Sequence, residues 1–321
     1  MRVGIIDFDG KIPNLALMKI SEHHKKQGHQ VFLNDFEKVD KVYCSVLFTW
    51  NRSKAEKLFK EYDNIEFGGT GWSTDIKLPN YIESEVPDYN LYSPQFLYSR
   101  IGGIMKKSTK ITKAETLANM GIGFTSRGCV RNCGFCFVPK KEGQLHQETE
   151  IKDIINPKSK VIALLDNNFT ADPDMIDKCK EIKERDLIVD FNQGLDIRLM
   201  TEEKAKALSE VKHLRSIHYA WDLMNFESQV IQGIQTLSKY IKKYKHLCMM
   251  IVGYNTTFEE DMYRFKTLKG MGVDPYVMIY NKIPDPKLKH FARWVNSRIY
   301  KVCNFDEYEP WIKEKEAKVN V

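Results

Sequence analysis

The chain of 321 residues lacks any long hydrophobic run. Its longest apolar stretches, such as "LCMMIVGY" (247–254), are far too short to cross a bilayer. The opening "MRVGIIDFDGKIP" has no extended apolar segment of the signal-peptide kind. Together these absences predict a soluble, cytoplasmic protein with no membrane partner. Cysteine is sparse and odd in number, seven in all, and a reducing compartment would keep such cysteines as thiols. Cys44, Cys179, Cys248 and Cys303 are scattered and read as small buried side chains or inert thiols.

Apolar residues make up 42% of the chain, which suits a packed core and excludes global disorder. The length allows one large domain or two of ordinary size. A net charge of +6 admits an acidic partner such as nucleic acid without demanding one. Lysine-rich stretches at "MKKSTKITK" (105–113), "KKYKHL" (242–247) and "DPKLKHFARW" (285–294) read first as solvated faces.

The apolar pattern predicts an α/β protein. "RVGIID", "QVFL" and "KVYCSVLF" (41–48) read as strands, with helices over "NLALMKISEHHKKQGH" and "NRSKAEKLFKEY" (51–62), the latter capped near Asn51 or Ser53. This is a small Rossmann-like domain over residues 1–85, with "FGGTGW" (67–72) as its glycine-rich loop. His23, His24 and His29 lie on or just beyond its first helix and read as solvated. "LPNYIESEVPDYNLYSPQF" (78–96), with three prolines, marks a linker or excursion, and residues 86–114 are taken as the linker. Strand–helix alternation then resumes. "IGFTS" (122–126), "KVIALLD" (160–166), "LIVDFNQ" (187–193), "RSIHYAW" (215–221), "LCMMIVGY" and "PYVMIY" (275–280) read as strands. Helices fall at "IKDIIN" (151–156), 172–185, 201–211 with Thr201 as N-cap, 227–244, and 257–272 with Thr257 as cap. Six such units in one direction predict a barrel or part of one over 115–285, followed by a helical extension over 286–321.

Cys129, Cys133 and Cys136 sit in "SRGCVRNCGFCFVP" (126–139), after the first strand of that series. A structural zinc site wants four ligands, usually as two separated pairs, and no second pair follows. A Cys3His zinc site would need His146, ten residues on. A catalytic dithiol would use Cys133 and Cys136 and leave Cys129 idle. A [4Fe–4S] cluster normally takes four thiolates; with three, one iron keeps an open position for a substrate or cofactor.

At this point the sequence resembles a family. "C-V-R-N-C-G-F-C" matches the C-x3-C-x-φ-C motif of the radical S-adenosylmethionine enzymes, φ being aromatic and here Phe135. That family places the loop after the first strand of a partial (β/α)6 barrel. The flanking "SRG" and "FVP" resemble the subgroup whose N-terminal domain is similar to a cobalamin-binding domain. The resemblance implies that Cys129, Cys133 and Cys136 ligate a [4Fe–4S] cluster whose vacant iron takes the amino and carboxylate groups of S-adenosylmethionine. Reductive cleavage would then give a 5′-deoxyadenosyl radical that abstracts hydrogen from a substrate. Phe135 would pack beside the cluster. The family's "GGE" triplet at the second strand is replaced by "LLDNNFTAD", similar to the "D-x-N-F" ending of the cobalamin-type subgroup. Asp166, Asn167 and Asn168 could hold an ammonium group there, or cap the next helix. In "FNQGLDIRLM" (191–200), Asn192, Gln193, Asp196 and Arg198 could reach ribose, carboxylate or substrate, and an Asp–Arg turn is an equal reading. Asp222 is a weaker candidate.

The family reading carries its own absences. Asp-x-His-x-x-Gly, the pattern for a histidine beneath cobalt, does not occur, so residues 1–85 are expected to fold like a cobalamin domain without holding cobalamin. Methylthiotransferases carry three further N-terminal cysteines, where this chain has only Cys44, and they end in a small RNA-binding barrel for which the stretch after 285 is too short. The expectation is therefore a radical S-adenosylmethionine enzyme acting on an unknown substrate, with an external electron donor such as a flavodoxin or ferredoxin. The alternative is a non-catalytic iron–sulfur protein that binds nucleic acid or a protein partner.

Overall fold

The structure, a computed structural model, describes residues 1–308. The end of the extension read at 286–321 therefore lies outside the described residues. The chain divides into two compact units: Met1–Asn132 with Cys136–Asp166 and Asp186–Asp190, and Cys133–Phe135 with Asn167–Arg185 and Phe191 onward. Both are α/β, and their main sheets are parallel.

In the first unit, β1 (Arg2–Asp7), β2 (Gln30–Leu33), β3 (Lys41–Ser45) and β4 (Ile65–Gly68) form one sheet in the order β2-β1-β3-β4. Val3, Ile5 and Val42 are fully buried, each such side chain contributing about 1.5–3 kcal/mol by leaving water. The expected helix at 51–62 spans only Arg52–Leu58. Asn51 stands at its cap position, but its side chain donates to Asp9 instead. β4 is an addition, because the glycines of "FGGTGW" mask a strand that pairs along β3.

One further reading changes here. His24 is buried rather than solvated: its ring nitrogens face His29 Nδ1 at 3.0 Å and the Tyr43 hydroxyl at 3.2 Å. Burial, reinforced by His29, His23 and Lys41, lowers its pKa to about 4. The lysine-rich stretch 105–113 is largely exposed, as expected, and leads into the rest of a helix, Lys107–Asn119, that buries Ala114, Leu117 and Ala118 in a cluster with Leu15, Tyr92, Leu97 and Ile122. Residues 78–96 also pack closely, with Ile82 and Tyr92 buried and Asp88 accepting from Ser21 at 2.6 Å.

A second sheet of this unit sets β5 (Gly121–Gly123) beside β8 (Val161–Leu164) in parallel, and β8 beside β9 (Ile188–Phe191). In chain order between β5 and β8 comes a separate antiparallel pair, β6 (Ser126–Arg127) with β7 (His146–Gln147), and the cysteines occupy the segment connecting the two.

In the second unit, β10 (Lys212–His213) precedes a parallel sheet of β11 (Ile217–Ala220), β12 (His246–Val252) and β13 (Asp274–Ile279). His246, Cys248, Met250 and Val252 alternate as buried residues along β12. Thr201 and Thr257 cap their helices as expected, Thr257 in a full capping box with Glu260. The helix read over 227–244 ends at Ser238, and a short turn over Lys243–Lys245 leads into β12. Helix Pro286–Asn296 packs Phe291 and Trp294 against Phe265, Tyr300 and Phe305. Arg264, fully buried, donates to the carbonyls of Trp221 and Ile251 (2.5 and 2.8 Å) and to Asp261 Oδ1 (2.5 Å), bracing the ends of β11 and β12. Among the described residues, no helix is long and apolar enough to cross a membrane.

Candidate active site

The cysteine segment leaves the first unit through a heavily hydrogen-bonded strand end. Asp166, buried just after β8, accepts from Thr125 N (2.8 Å), Thr125 Oγ1 (2.5 Å), Ser126 N (2.9 Å) and Ser126 Oγ (2.9 Å). One carboxylate thus fixes the two residues that lead into β6. The next residue, Arg127, pairs with Glu83 (2.6 Å), Glu148 (3.0 Å) and Glu142 (3.5 Å), and its guanidinium lies 4.0 Å from the Phe124 ring centroid. Gly128 follows with φ +80°; a Cβ there would stand 2.2 Å from the Gln144 carbonyl oxygen, so only glycine fits this turn. Cys129 N donates to Gly143 O at 3.2 Å, and Cys129 Sγ accepts from Arg131 N at 3.3 Å.

Cys129, Cys133 and Cys136 are half-buried thiols outside any disulfide. Among the described residues, no three Cys, His, Asp or Glu side chains converge in a geometry set to hold a metal ion. Cys44, Cys179 and Cys248 are buried as expected, and burial pushes the Cys44 and Cys179 thiols up to about 12, which keeps them protonated and inert.

Residues Cys133–Phe135 belong to the second unit, and there they meet the polar strand ends. Arg198 contacts Cys133, grips Asp196 through Nε (2.6 Å) and Nη2 (3.0 Å), and lies 4.7 Å from the Phe226 ring centroid. Burial opposes the charge on Arg198, but Asp196, with Cys133 adding to it, outweighs burial and raises the pKa above its ordinary value. Asn168 reaches the same carboxylate, Nδ2 to Asp196 Oδ2 at 3.5 Å, while its Oδ1 caps the turn at Ala171 N. Thr170 Oγ1 accepts from Asp196 N at 3.1 Å. Cys133, Asn168, Asp196 and Arg198 are thereby brought together.

The other expected residues stand differently. Asn192 is half-buried and Gln193 exposed, their amides 3.5 Å apart, and the Asn192 carbonyl faces His218 Nε2 at 3.2 Å. Asn167 is half-buried on the turn after β8. Asp222 accepts from Ile251 N at 2.9 Å, and burial raises its pKa. Phe135 packs edge-on against Tyr254, with centroids 5.3 Å apart, and Tyr254 packs in turn against Tyr280 at 4.7 Å. A Cβ on Gly134 would meet the Tyr254 hydroxyl at 2.6 Å. Sequence reasoning passed over Tyr254, though its place just beyond β12 is a strand end like the others. It also passed over Arg127, whose three carboxylate partners are scattered from residue 83 to residue 148.

No protein-family model matches the chain, and no curated protein does. Solved structures of SuiB from Streptococcus suis show a distant likeness. Free SuiB is 13% identical, over 62% of this chain and 54% of that one, with a TM-score of 0.38. For SuiB bound to S-adenosylmethionine the figures are 13%, 64%, 56% and 0.38. For SuiB bound to the precursor peptide SuiA they are 15%, 71%, 53% and 0.36. The chain spans just over half the length of these structures, and a likeness at such TM-scores transfers neither site nor activity.

Proposed function

We propose that the chain is a radical S-adenosylmethionine enzyme in which Cys129, Cys133 and Cys136 hold a [4Fe–4S] cluster with one iron open to S-adenosylmethionine. The observation that carries this reading is the run of three thiols in C-x3-C-x-φ-C spacing, in the segment that joins the antiparallel pair β6–β7 just after β5. The donor set fits the group: three half-buried thiols, none in a disulfide, with a backbone amide already donating to Cys129 Sγ and a guanidinium against Cys133. When bound, the reduced cluster supplies the electron that cleaves a carbon–sulfur bond of S-adenosylmethionine.

The chain's own residues do the rest. Asp166 and Arg127 fix the segment from which the cysteines project. Asp196 and Arg198 present a carboxylate beside a guanidinium, matching the ammonium and carboxylate of the cofactor's amino-acid end. Asn167, Asn168, Asn192 and Gln193 add amide donors and acceptors, and Phe135 with Tyr254 gives an apolar wall. In this reading residues 115–285 form a partial (β/α)6 barrel, and residues 1–85 a Rossmann-like domain similar to cobalamin-binding domains. That domain is proposed to hold no cobalamin. At the C-terminal ends of β1 and β3, where such sheets bind ligands, Asp9 already accepts from Leu47 N (2.8 Å), Phe48 N (3.1 Å) and Asn51 Nδ2 (3.0 Å). The electron would come from a cytoplasmic flavodoxin or ferredoxin.

The test is anaerobic reconstitution with iron and sulfide, reduction, addition of S-adenosylmethionine and detection of 5′-deoxyadenosine by mass spectrometry. Formation of 5′-deoxyadenosine by the wild type and not by Cys133→Ala is the expected result. A bound cluster that gives neither product nor a spectral change with S-adenosylmethionine, with reductant present, would sink the reading.

A further inference from the structure

From Ser228 to Phe258 the sequence contains no Asp or Glu, yet it carries Lys239, Lys242, Lys243 and Lys245. Lys239 is spoken for by Glu202. Lys242, Lys243 and Lys245 have no ion-pair or hydrogen-bond partner for their ammonium groups among the described residues. They flank Tyr244, which is 72% exposed. The turn that carries them is firmly built. Ile241 and His246, at its two ends, are buried; His246 Nε2 faces Ile241 O at 3.1 Å and His246 Nδ1 faces the Tyr219 hydroxyl at 3.1 Å. Lys245 N donates to Lys242 O at 2.9 Å. Tyr244 is therefore held out in water by a stapled backbone instead of folding down onto apolar surface.

Strand register gives the place. Ile217 pairs with His246, and Leu247 with Asp274, so the turn lies at the N-terminal edge of β11–β12–β13, with Arg215 entering the same edge two residues before β11. This is the end opposite Ala220, Val252 and Ile279, beyond which the polar strand-end residues of this unit lie. Across residues 214–247 the exposed large hydrophobic side chains are Tyr240 and Tyr244 alone, so the surface lacks the apolar centre of a protein interface. Uncompensated ammonium groups around one free aromatic face are what a phosphodiester strand requires: point charges for phosphates and a ring on which any base stacks.

We propose that the Lys242–Lys245 turn, with Tyr244 at its centre, is a docking site for single-stranded nucleic acid, at the end of the sheet away from the cysteine chemistry. The site needs no cluster and does not rest on the enzymatic reading above.

The experiment uses the full chain and a fluorescein-labelled single strand of about 15 nucleotides, as DNA and as RNA, followed by fluorescence anisotropy across a salt series. Expected is binding whose log K falls with log salt at a slope of about −2, three phosphates being neutralised on a single strand. K242Q/K243Q/K245Q should weaken binding at least about tenfold and flatten the slope. Tyr244→Ala should weaken it about fivefold or more and leave the slope unchanged, because stacking releases no counterion. K54Q/K57Q/K60Q, an equal charge change on the helix Arg52–Leu58 and the turn after it, where acids stand among the lysines, should change little. The proposal is overturned if no binding occurs at low salt, if the Lys54 set matters as much as the Lys242 set, or if Tyr244→Ala has no effect. Equal displacement by polyglutamate of matched charge would also overturn it and point to an acidic protein as the partner.

Discussion

Asp166 and Asp196 each follow a short parallel-sheet strand, and in sequence they look alike: an acid among asparagines and apolar residues. Asp166 spends its carboxylate on four donors, all from Thr125 and Ser126. Asp196 shares its carboxylate with the guanidinium of Arg198, which also touches a cysteine, with the Arg198 backbone amide at 3.2 Å, and with a long contact from Asn168. The first is held by the backbone and hydroxyl groups of two adjacent residues. The second is balanced by a mobile type of side chain that could exchange its partner for a ligand. The kind of donor, neutral amides and hydroxyls against a guanidinium, is what sets the two acids apart.

The largest expected effect tests the first acid. Asp166→Ala leaves two amides and two hydroxyls of Thr125 and Ser126 without their acceptor, and should cost about 3 kcal/mol or more in urea unfolding. Asp196→Asn should cost less, about 1–2 kcal/mol, because the amide oxygen still accepts from Arg198. It should also weaken S-adenosylmethionine binding about tenfold by titration calorimetry on the reconstituted protein, a charge-assisted contact being lost. If Asp196→Asn destabilises as much as Asp166→Ala and leaves cofactor affinity unchanged, the contrast between the two acids collapses.

A smaller effect extends the comparison to a histidine. His24 is shared between His29 and Tyr43, near His23, Lys41 and Glu66, and its pKa is lowered from 6.5 to about 4. The unfolded chain takes up this proton near pH 6.5, whereas the folded chain does not until about pH 4. The neutral ring's contribution is thus intact above pH 6.5 and is lost progressively as pH falls toward 4. Thermal midpoints measured across that window should fall with pH, and His24→Gln should flatten the slope. An unchanged slope would mean that His24 is accessible and protonates freely.

Much of this was legible in the sequence, and the misses have physical causes. Runs such as "RVGIID" and "HLCMMIV" are apolar enough to be strands in any register, and Thr201 and Thr257 are followed by acids that make their caps plain. Helix Lys107–Asn119 was hidden because three small or medium side chains, Ala114, Leu117 and Ala118, are all it buries. β4 was hidden by glycines. The cysteines announced themselves through spacing, which is a local property. Arg127 with its three glutamates, and Tyr254 against Gly134, depend on pairings between residues far apart in the chain, and one sequence records no such pairing.

The Arg264 brace has a consequence for inheritance. A guanidinium sealed in the core with two carbonyls and Asp261 cannot lose its acid and keep its charge cheaply, nor can Asp261 outlive its arginine. In a library of random variants selected for folding, positions 261 and 264 should therefore change together or not at all. Apolar pairs would survive where either single loss is purged, so the two positions would mark descent in sequences too diverged to align elsewhere.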